Sequence, residues 1–412
     1  MARRARSRPD VAVTGLGLVT PAGIGTAANW ERICSGISTA AHDPALEGMA
    51  VDFSCRVPGF DAGALLGART AWRLDRFVQL AIVAAREALA DAGLDPSTWD
   101  GARVGVVLGN SLGGTTTYEQ QHRKLLESGA HLVSPLLVPM AMVNMVAGYV
   151  AIDCRAGGPS MVTATACASG TTAVGTARDL LRSGACDVVV AGGTESSLSP
   201  AILAGLRGMG ALSGRRDDPG AASRPFDIGR DGFVAAEGAG IVILERVDDA
   251  RARGARVRAR VSGFGASSDA YRATAPDPTG AGVERALRAA LTDAGLAPDD
   301  VDHVNAHGTS TPLNDAMEAQ ALYRLLGDRP AVTSTKGVTG HTLAAAGAIE
   351  TAYTVLALEH GLVPPIANLE KPGDDIEVDL VAGGPRRGRF EVAINSSSGF
   401  GGHNAALVLT AA

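Results

Sequence analysis

Along the chain, short β-branched apolar runs alternate with longer Ala-rich stretches whose apolar positions recur at helical spacing. Val11–Gly15, Val104–Leu108, Val188–Ala191, Ile241–Glu245, Val257–Gly263 and Val301–Ala306 read as strands, with Val392–Asn395 and Ala406–Leu409 as a closing pair. Phe77–Ala92, Val283–Ala294 and Ala316–Leu326 read as helices, the first ending at Gly93. Such alternation predicts an α/β protein with buried sheets.

The pattern also repeats. Val11-Ala-Val-Thr-Gly-Leu-Gly resembles Val261-Ser-Gly-Phe-Gly-Ala-Ser, a β-run breaking into glycines and small residues. Ser160-Met-Val-Thr-Ala-Thr-Ala-Cys-Ala-Ser-Gly leads from an extended run into a small-residue helix, and so does Val332-Thr-Ser-Thr-Lys-Gly-Val-Thr-Gly-His-Thr-Leu-Ala. A reactive side chain, Cys167 or His341, stands where each helix is expected to begin. Helices so poor in large side chains pack closely on both sides, which places them at the centre, related by a pseudo-twofold. The chain length of 412 residues suits two halves. Residues 1–255 would carry the cysteine and 256–412 both histidines, with the charged stretch Asp248–Arg260 as junction.

Composition narrows the classes. The hydrophobic fraction of 46% is that of a globular protein. A net charge of -6 gives no basic footprint for nucleic acid, and Arg3, Arg4, Arg6 and Arg8 read as a solvated tail. Nothing before Val11 resembles a signal-peptide core. The most apolar stretch, Pro135–Ile152, contains Pro135, Pro139 and Asn144 and reads as a buried segment rather than a membrane span. The five cysteines show no C-x-x-C or zinc spacing. They are expected to be reduced thiols of a cytoplasmic protein, four of them filling core space.

The candidate chemistry lies in four motifs. Cys167 at a helix start would feel the positive end of the helix dipole, which favours thiolate; a structural cysteine in a tight helix is the alternative. His307, in Asn305-Ala-His-Gly-Thr-Ser-Thr-Pro, follows a buried strand, where α/β folds open their functional crevice. Gly308 permits a sharp turn, and Thr309, Ser310 and Thr311 offer hydroxyls to a polar chain. A satisfied core histidine is the bland alternative. Lys336-Gly-Val-Thr-Gly-His341 is no Walker A loop, because the lysine precedes it and no Gly-Lys-Ser/Thr follows. Lys336 near a histidine and an acid such as Glu318 reads instead as a charge-balancing group. Gly399-Phe-Gly-Gly-His-Asn, between the closing strands, suits a mobile loop aiming N–H groups at a ligand, or a plain hairpin turn.

Together these motifs resemble a β-ketoacyl-acyl carrier protein synthase of type II, from the condensing-enzyme branch of the thiolase superfamily. The resemblance runs from Val13-Thr-Gly-Leu-Gly through Thr165-Ala-Cys-Ala-Ser-Gly, Ser223-Arg-Pro-Phe-Asp and Arg230-Asp-Gly-Phe-Val to Gly399-Phe-Gly-Gly. It implies the five-layered α-β-α-β-α thiolase fold, and Cys167 as acyl-carrying nucleophile with His307 and His341 assisting decarboxylation. It further implies Lys336 and Glu318 holding the imidazoles, and N–H groups of Cys167 and Phe400 as oxyanion hole. Thr309, Thr311 and Thr274 would bind pantetheine, while Leu112 and Phe233 line an acyl tunnel gated by Phe400. Substrates would arrive on the phosphopantetheine of acyl carrier protein, with no metal or diffusible cofactor. The implied assembly is a homodimer, or a heterodimer with a chain-length-factor homologue. A third-type condensing enzyme would carry Asn for His341, and a non-catalytic chain-length factor would lack Cys167. A thiolase acting on coenzyme A would lack the His-Gly-Thr-Ser-Thr and Lys-Gly-Val-Thr-Gly-His motifs. Two departures lean toward polyketide or polyene elongation. Ser398 stands where fatty-acid members usually carry Phe, and His131 with Leu132 stands where they can carry a basic docking pair, leaving Arg69 and Arg73.

Overall fold

The computed structural model describes residues 9–412, so the arginine run at positions 3–8 lies outside the described residues. The first half contributes strands β1 (Val11–Thr20), β2 (Val104–Gly109), β3 (Ser160–Thr163), β4 (Val188–Glu195) and β5 (Gly238–Arg246). Its main helices are α1 (Arg76–Asp91) and α2 (Ser169–Arg182). The second contributes β6 (Ala259–Ser268), α3 (Ala281–Ala294), β7 (His303–Asn305), α4 (Pro312–Leu326) and β8 (Ala331–Thr333). It closes with α5 (Ala346–His360), β9 (Val392–Gly399) and β10 (His403–Ala411). Every strand and helix expected from the apolar pattern is present, most of them longer than the runs that announce them.

The strands lie in the order β8-β7-β9-β10-β6-β1-β5-β4-β2-β3. Each set of five follows the same spatial order, first, fifth, fourth, second, third. The two sets meet edge to edge where β1 pairs antiparallel with β6, Ala12 opposite Arg260. Local irregularities repeat as well. The pairing of β1 with β5 skips Thr14, and that of β6 with β10 skips Ser262. In those bulges Thr14 Oγ1 donates to Glu245, and the Ser262 and Thr410 hydroxyls share a hydrogen bond of 2.8 Å.

Glycine fixes the layer spacing. A Cβ on Gly15 or Gly17 would lie 2.1 or 1.9 Å from carbonyl oxygens of α1, and one on Gly263 or Gly265 would lie 2.1 or 2.2 Å from those of α3. Those outer helices therefore rest directly on their strands, while α2 and α5 fill the space between the two sheets. This is the α-β-α-β-α layering. At the centre a Cβ on Gly170 would lie 2.6 Å from Ala348 N, and one on Gly347 2.0 Å from Thr171 Oγ1. These two contacts exchange under the pseudo-twofold, because 170 and 347 are equivalent positions, as are 171 and 348.

The same equivalence corrects one expectation. Positive φ at Ala166 (50°) and Leu343 (48°) opens a 3-10 turn in each half, Ala166–Ala168 and Leu343–Ala345, before α2 and α5. The counterpart of Cys167 is thus Ala344, and His341 stands three residues earlier, bridged to Ala235. Another correction concerns Pro135–Ile152. It forms two short helices, Leu137–Ala141 and Met145–Asp153, whose Val146, Ala147, Val150 and Ala151 are buried. Val138 and Ile152 instead remain 62% and 73% exposed, so an apolar face is left uncovered. Among the described residues no helix is long and apolar enough to cross a membrane. All five cysteines are free thiols; Cys55, Cys154 and Cys186 are core residues and Cys34 is half-buried.

Candidate active site

Cys167, His307 and His341 come from three separate motifs and together line one cavity of about 860 Å³. The Cys167 Sγ and one ring nitrogen of each histidine lie within 4.8 Å of one another. The two imidazoles pack edge to face at 5.3 Å, and Phe233 stands edge-on to His341 at 5.0 Å. This Cys–His–His donor set would also suit a thiophilic metal such as Zn²⁺.

The backbone is strained to present these groups. Ala166 takes positive φ, which costs a non-Gly residue energy and turns Cys167 into the cavity. Gly308 has φ +37°, and a Cβ there would lie 2.5 Å from Ser334 Cβ. The His307 turn therefore requires glycine at its next position. Glu318, from α4, accepts the His307 N–H at 2.7 Å and the Gly308 N–H at 2.8 Å.

The acid that pairs directly with Lys336 is Glu350 rather than Glu318. Lys336, fully buried, donates its ammonium to Glu350 on α5. Glu318 spends both oxygens on the His307 turn. Ser310 is a further correction to the hydroxyl-bearing loop. Its side chain turns inward, where Oγ accepts the Arg224 N–H at 2.9 Å. Thr309 and Thr311 line the cavity with their hydroxyls 2.9 Å apart.

Electrostatics also alters the expected state of the nucleophile. Burial pushes the Cys167 thiol up to about 12, against the pull of the Lys336 ammonium and the Phe400 N–H. Burial of the sulfur thus opposes the thiolate that the helix start was expected to favour. Burial, then the Lys336 charge, holds His341 well below the usual imidazole range, and His307 likewise with His341 as a third cause. Both rings are neutral at ordinary pH, each with an N–H to donate. Burial raises Glu318 and Glu350 to about 7.

The rest of the expected set sorts by position. Thr274, Leu112, Phe233, Ser398 and Phe400 line the cavity, and Lys336 and Glu318 stand behind it. Phe400 is 37% exposed in the hairpin between β9 and β10. Beside it Ser398 donates to Asn404 Oδ1 at 2.9 Å, and Asn404 donates to Asp269 at 2.7 Å. Sequence reasoning missed this link, and it missed Glu350. The signal for Glu350 was an acid in the first, small-residue turns of a largely apolar helix, where a buried charge has to find a cation.

Comparison with known proteins agrees with this arrangement. The sequence profile of the Beta-ketoacyl synthase, N-terminal domain, matches residues 8–250, and that of the C-terminal domain matches residues 258–370. The chain is 42% identical over 404 residues to 3-oxoacyl-[acyl-carrier-protein] synthase 2 of Synechocystis sp., covering 96% of this chain and 97% of the relative. It is 41% identical over 410 residues to the protein of the same name from Vibrio harveyi, covering 98% of each. Two solved structures share 32% identity and 98% of this chain over their full lengths. They are the ishigamide ketosynthase/chain length factor, at a TM-score of 0.93, and a beta-ketoacyl synthase from Burkholderia phymatum, at 0.92. A third, at 0.91 with the same identity and coverage, is a type II PKS acyl-carrier protein in complex with its ketosynthase bound to the hexaketide.

Proposed function

The chain belongs to the β-ketoacyl synthase family, and from that premise we propose how its own residues carry out the decarboxylative condensation of a β-ketoacyl-acyl carrier protein synthase. The observation that carries the reading is the meeting of Cys167, His307 and His341 within 4.8 Å of one another. The resting thiol attacks the carbonyl of an acyl thioester delivered on the pantetheine of acyl carrier protein. A neutral imidazole takes its proton and returns it to the departing carrier thiol. The S–C bond to Cys167 forms as the bond to the carrier sulfur breaks.

Malonyl-carrier protein then enters. Its terminal C–C bond breaks, carbon dioxide leaves, and charge collects on the thioester oxygen. The N–H groups of neutral His307 and His341 stabilise that enolate, a task imidazolium could not perform without giving up its proton. The carbanion attacks the Cys167 thioester, and backbone N–H groups of Cys167 and Phe400 hold the resulting oxyanion. Collapse expels Cys167 and leaves β-ketoacyl-carrier protein. Thr309, Thr311 and Thr274 guide the pantetheine arm, and Leu112 and Phe233 bound the acyl chamber. Lys336 and Glu318 support the histidines, and no metal or diffusible cofactor is required.

The test is covalent labelling of Cys167 by a thiol-directed acyl mimic, followed by assay of Cys167→Ala. Normal condensation by Cys167→Ala would overturn the assignment. Two observations divide the pathway. Ser398, tied to Asn404 beside Phe400, favours polyketide or polyene elongation, while the identity to 3-oxoacyl-[acyl-carrier-protein] synthase 2 proteins favours fatty acyl chains. Mass spectrometry of carrier-bound products from graded primers decides between them.

The uncovered apolar face is the reading's second consequence. Tyr118, Leu126, Leu132, Val138 and Ile152 are each more than half exposed, near the unpaired edge of β3. A surface of this kind is an association site. It would be covered by a second copy or by a chain-length-factor homologue. We take the boundary between the pseudo-symmetric halves at residues 255 and 256, between β5 and β6.

A further inference from the structure

One buried carboxylate outside the Cys–His–His set holds a loop that lines the same cavity. Glu195, fully buried at the end of β4, gathers five donors. Oε2 accepts the Ser111 N–H at 3.2 Å, the Ser111 hydroxyl at 2.9 Å and the Leu112 N–H at 3.3 Å. Oε1 accepts from Asn110 Nδ2 at 3.3 Å and from the Ser197 hydroxyl at 2.8 Å. The loop is fastened beyond Leu112 too. Gly113 N–H donates to Asn110 Oδ1 at 2.9 Å, and Gly114 N–H donates to the Ala141 carbonyl at 3.1 Å. Within this clamp Ser111 and Leu112 face the cavity that also contains Cys167.

We propose that Glu195 is a positioning residue that sets acyl-chain length by fixing the Ser111–Leu112 backbone, and with it the Leu112 side chain, as a wall of the acyl chamber. The proposal rests on the reading of Cys167 as acyl carrier. Glutamine keeps the shape and the volume, and the two serine hydroxyls can turn to accept from its NH₂, but the remaining donors cannot. In one orientation the NH₂ faces the Ser111 and Leu112 N–H groups, and in the other it faces Asn110 Nδ2. The anchored backbone then loosens at Leu112, one of the apolar side chains that line the cavity. Each methylene that gains room contributes about fourfold in affinity, so space for two is worth on the order of tenfold.

The experiment compares wild type and Glu195→Gln with acyl thioesters graded by two carbons, measuring Cys167 acylation by intact-protein mass spectrometry. The readout is the acylation ratio between the first length that wild type rejects and the last that it accepts. That ratio normalises each protein to itself, so a loss of folded protein leaves it unmoved. The expected result is a rise of about tenfold in Glu195→Gln. Ser197→Ala removes only the hydroxyl that orients the carboxylate, and the ratio rises in the same direction by a smaller factor. A ratio that is unchanged or lower in both variants overturns the proposal. A wild-type Cys167 that accepts no acyl group overturns the underlying reading instead, and this proposal with it.

Discussion

Glu318 holds His307 by the backbone and leaves the imidazole free: one oxygen accepts the His307 N–H at 2.7 Å and the other the Gly308 N–H at 2.8 Å. Glu318→Gln keeps one of these bonds and opposes the second with an amide NH₂. The turn shifts and the ring moves with it, and a misplacement of about 1 Å costs on the order of 10²-fold in rate. The expected outcome is a loss of that order in decarboxylative condensation by enzyme already acylated on Cys167. Acyl transfer onto Cys167 falls much less. Single-turnover measurement of the two half-reactions separates them, and an equal loss in both would show that Glu318 supports the fold rather than His307.

Cys167 rests as a thiol, with burial pushing it up to about 12. Below that value the thiolate fraction grows tenfold per pH unit. Alkylation of free enzyme by iodoacetamide is therefore expected to accelerate about tenfold per unit between about pH 7 and 9, with no plateau near the ordinary thiol value of about 8.5. Plateauing near neutral pH would mean that the helix start activates the sulfur after all. Acylation by a bound thioester has a flatter profile, because an imidazole takes the proton within the complex.

Much of this site was legible because its motifs are local. Cys167 among small residues, His307 after its strand and the Gly399–Gly402 turn each announce themselves within a few positions. The layered fold was legible in the repeated glycines, since Gly15 and Gly263 make equivalent contacts in the two halves. What escaped depended on contacts between distant segments. Lys336 lies near several acids in sequence, and only the packing of α5 shows that Glu350 is its partner. An apolar run such as Pro135–Ile152 says that a surface is to be covered, and not whether its own chain covers it. The thiol's protonation escaped for a related reason, because desolvation is a property of the assembled cavity.

The Lys336–Glu350 pair supplies a stability prediction with a definite pH dependence. Both groups are buried, and burial raises Glu350 to about 7 even with the ammonium against it. Lys336→Met removes the cation and costs roughly 3–5 kcal/mol if the carboxylate stays charged. A carboxyl with a raised folded-state value stabilises the fold below its unfolded value of about 4.5 and loses that contribution as pH rises through the folded one. Without Lys336 the folded value moves higher still, so the loss extends upward. The deficit of Lys336→Met, measured by denaturant unfolding, is therefore expected to be larger at about pH 8 than at about pH 5. Adding Glu350→Gln removes most of this pH dependence. A deficit that is the same at both pH values would place Glu350 in its neutral form throughout.

Cys167, His307 and His341 converge closely enough to be tested with a metal ion. Their donor atoms lie within 4.8 Å of one another, whereas Zn²⁺ binds sulfur at about 2.3 Å and imidazole nitrogen at about 2.0–2.1 Å. Three such bonds bring donors to roughly 3.5 Å apart, a closure that small side-chain rotations supply. The nearby Lys336 ammonium opposes a cation, so binding is expected to be moderate and to release the Cys167 proton. Zn²⁺ should protect Cys167 from alkylation, Mg²⁺ should not, and a chelator should restore reactivity. His341→Ala should weaken the protection about 10–100-fold, by analogy with the loss of a supporting metal-site group. An acyl group on Cys167 removes the sulfur ligand and abolishes it. Protection by Mg²⁺ equal to that by Zn²⁺ would point to general ionic screening. No protection by Zn²⁺ would mean that the three groups do not close on one ion against the Lys336 charge.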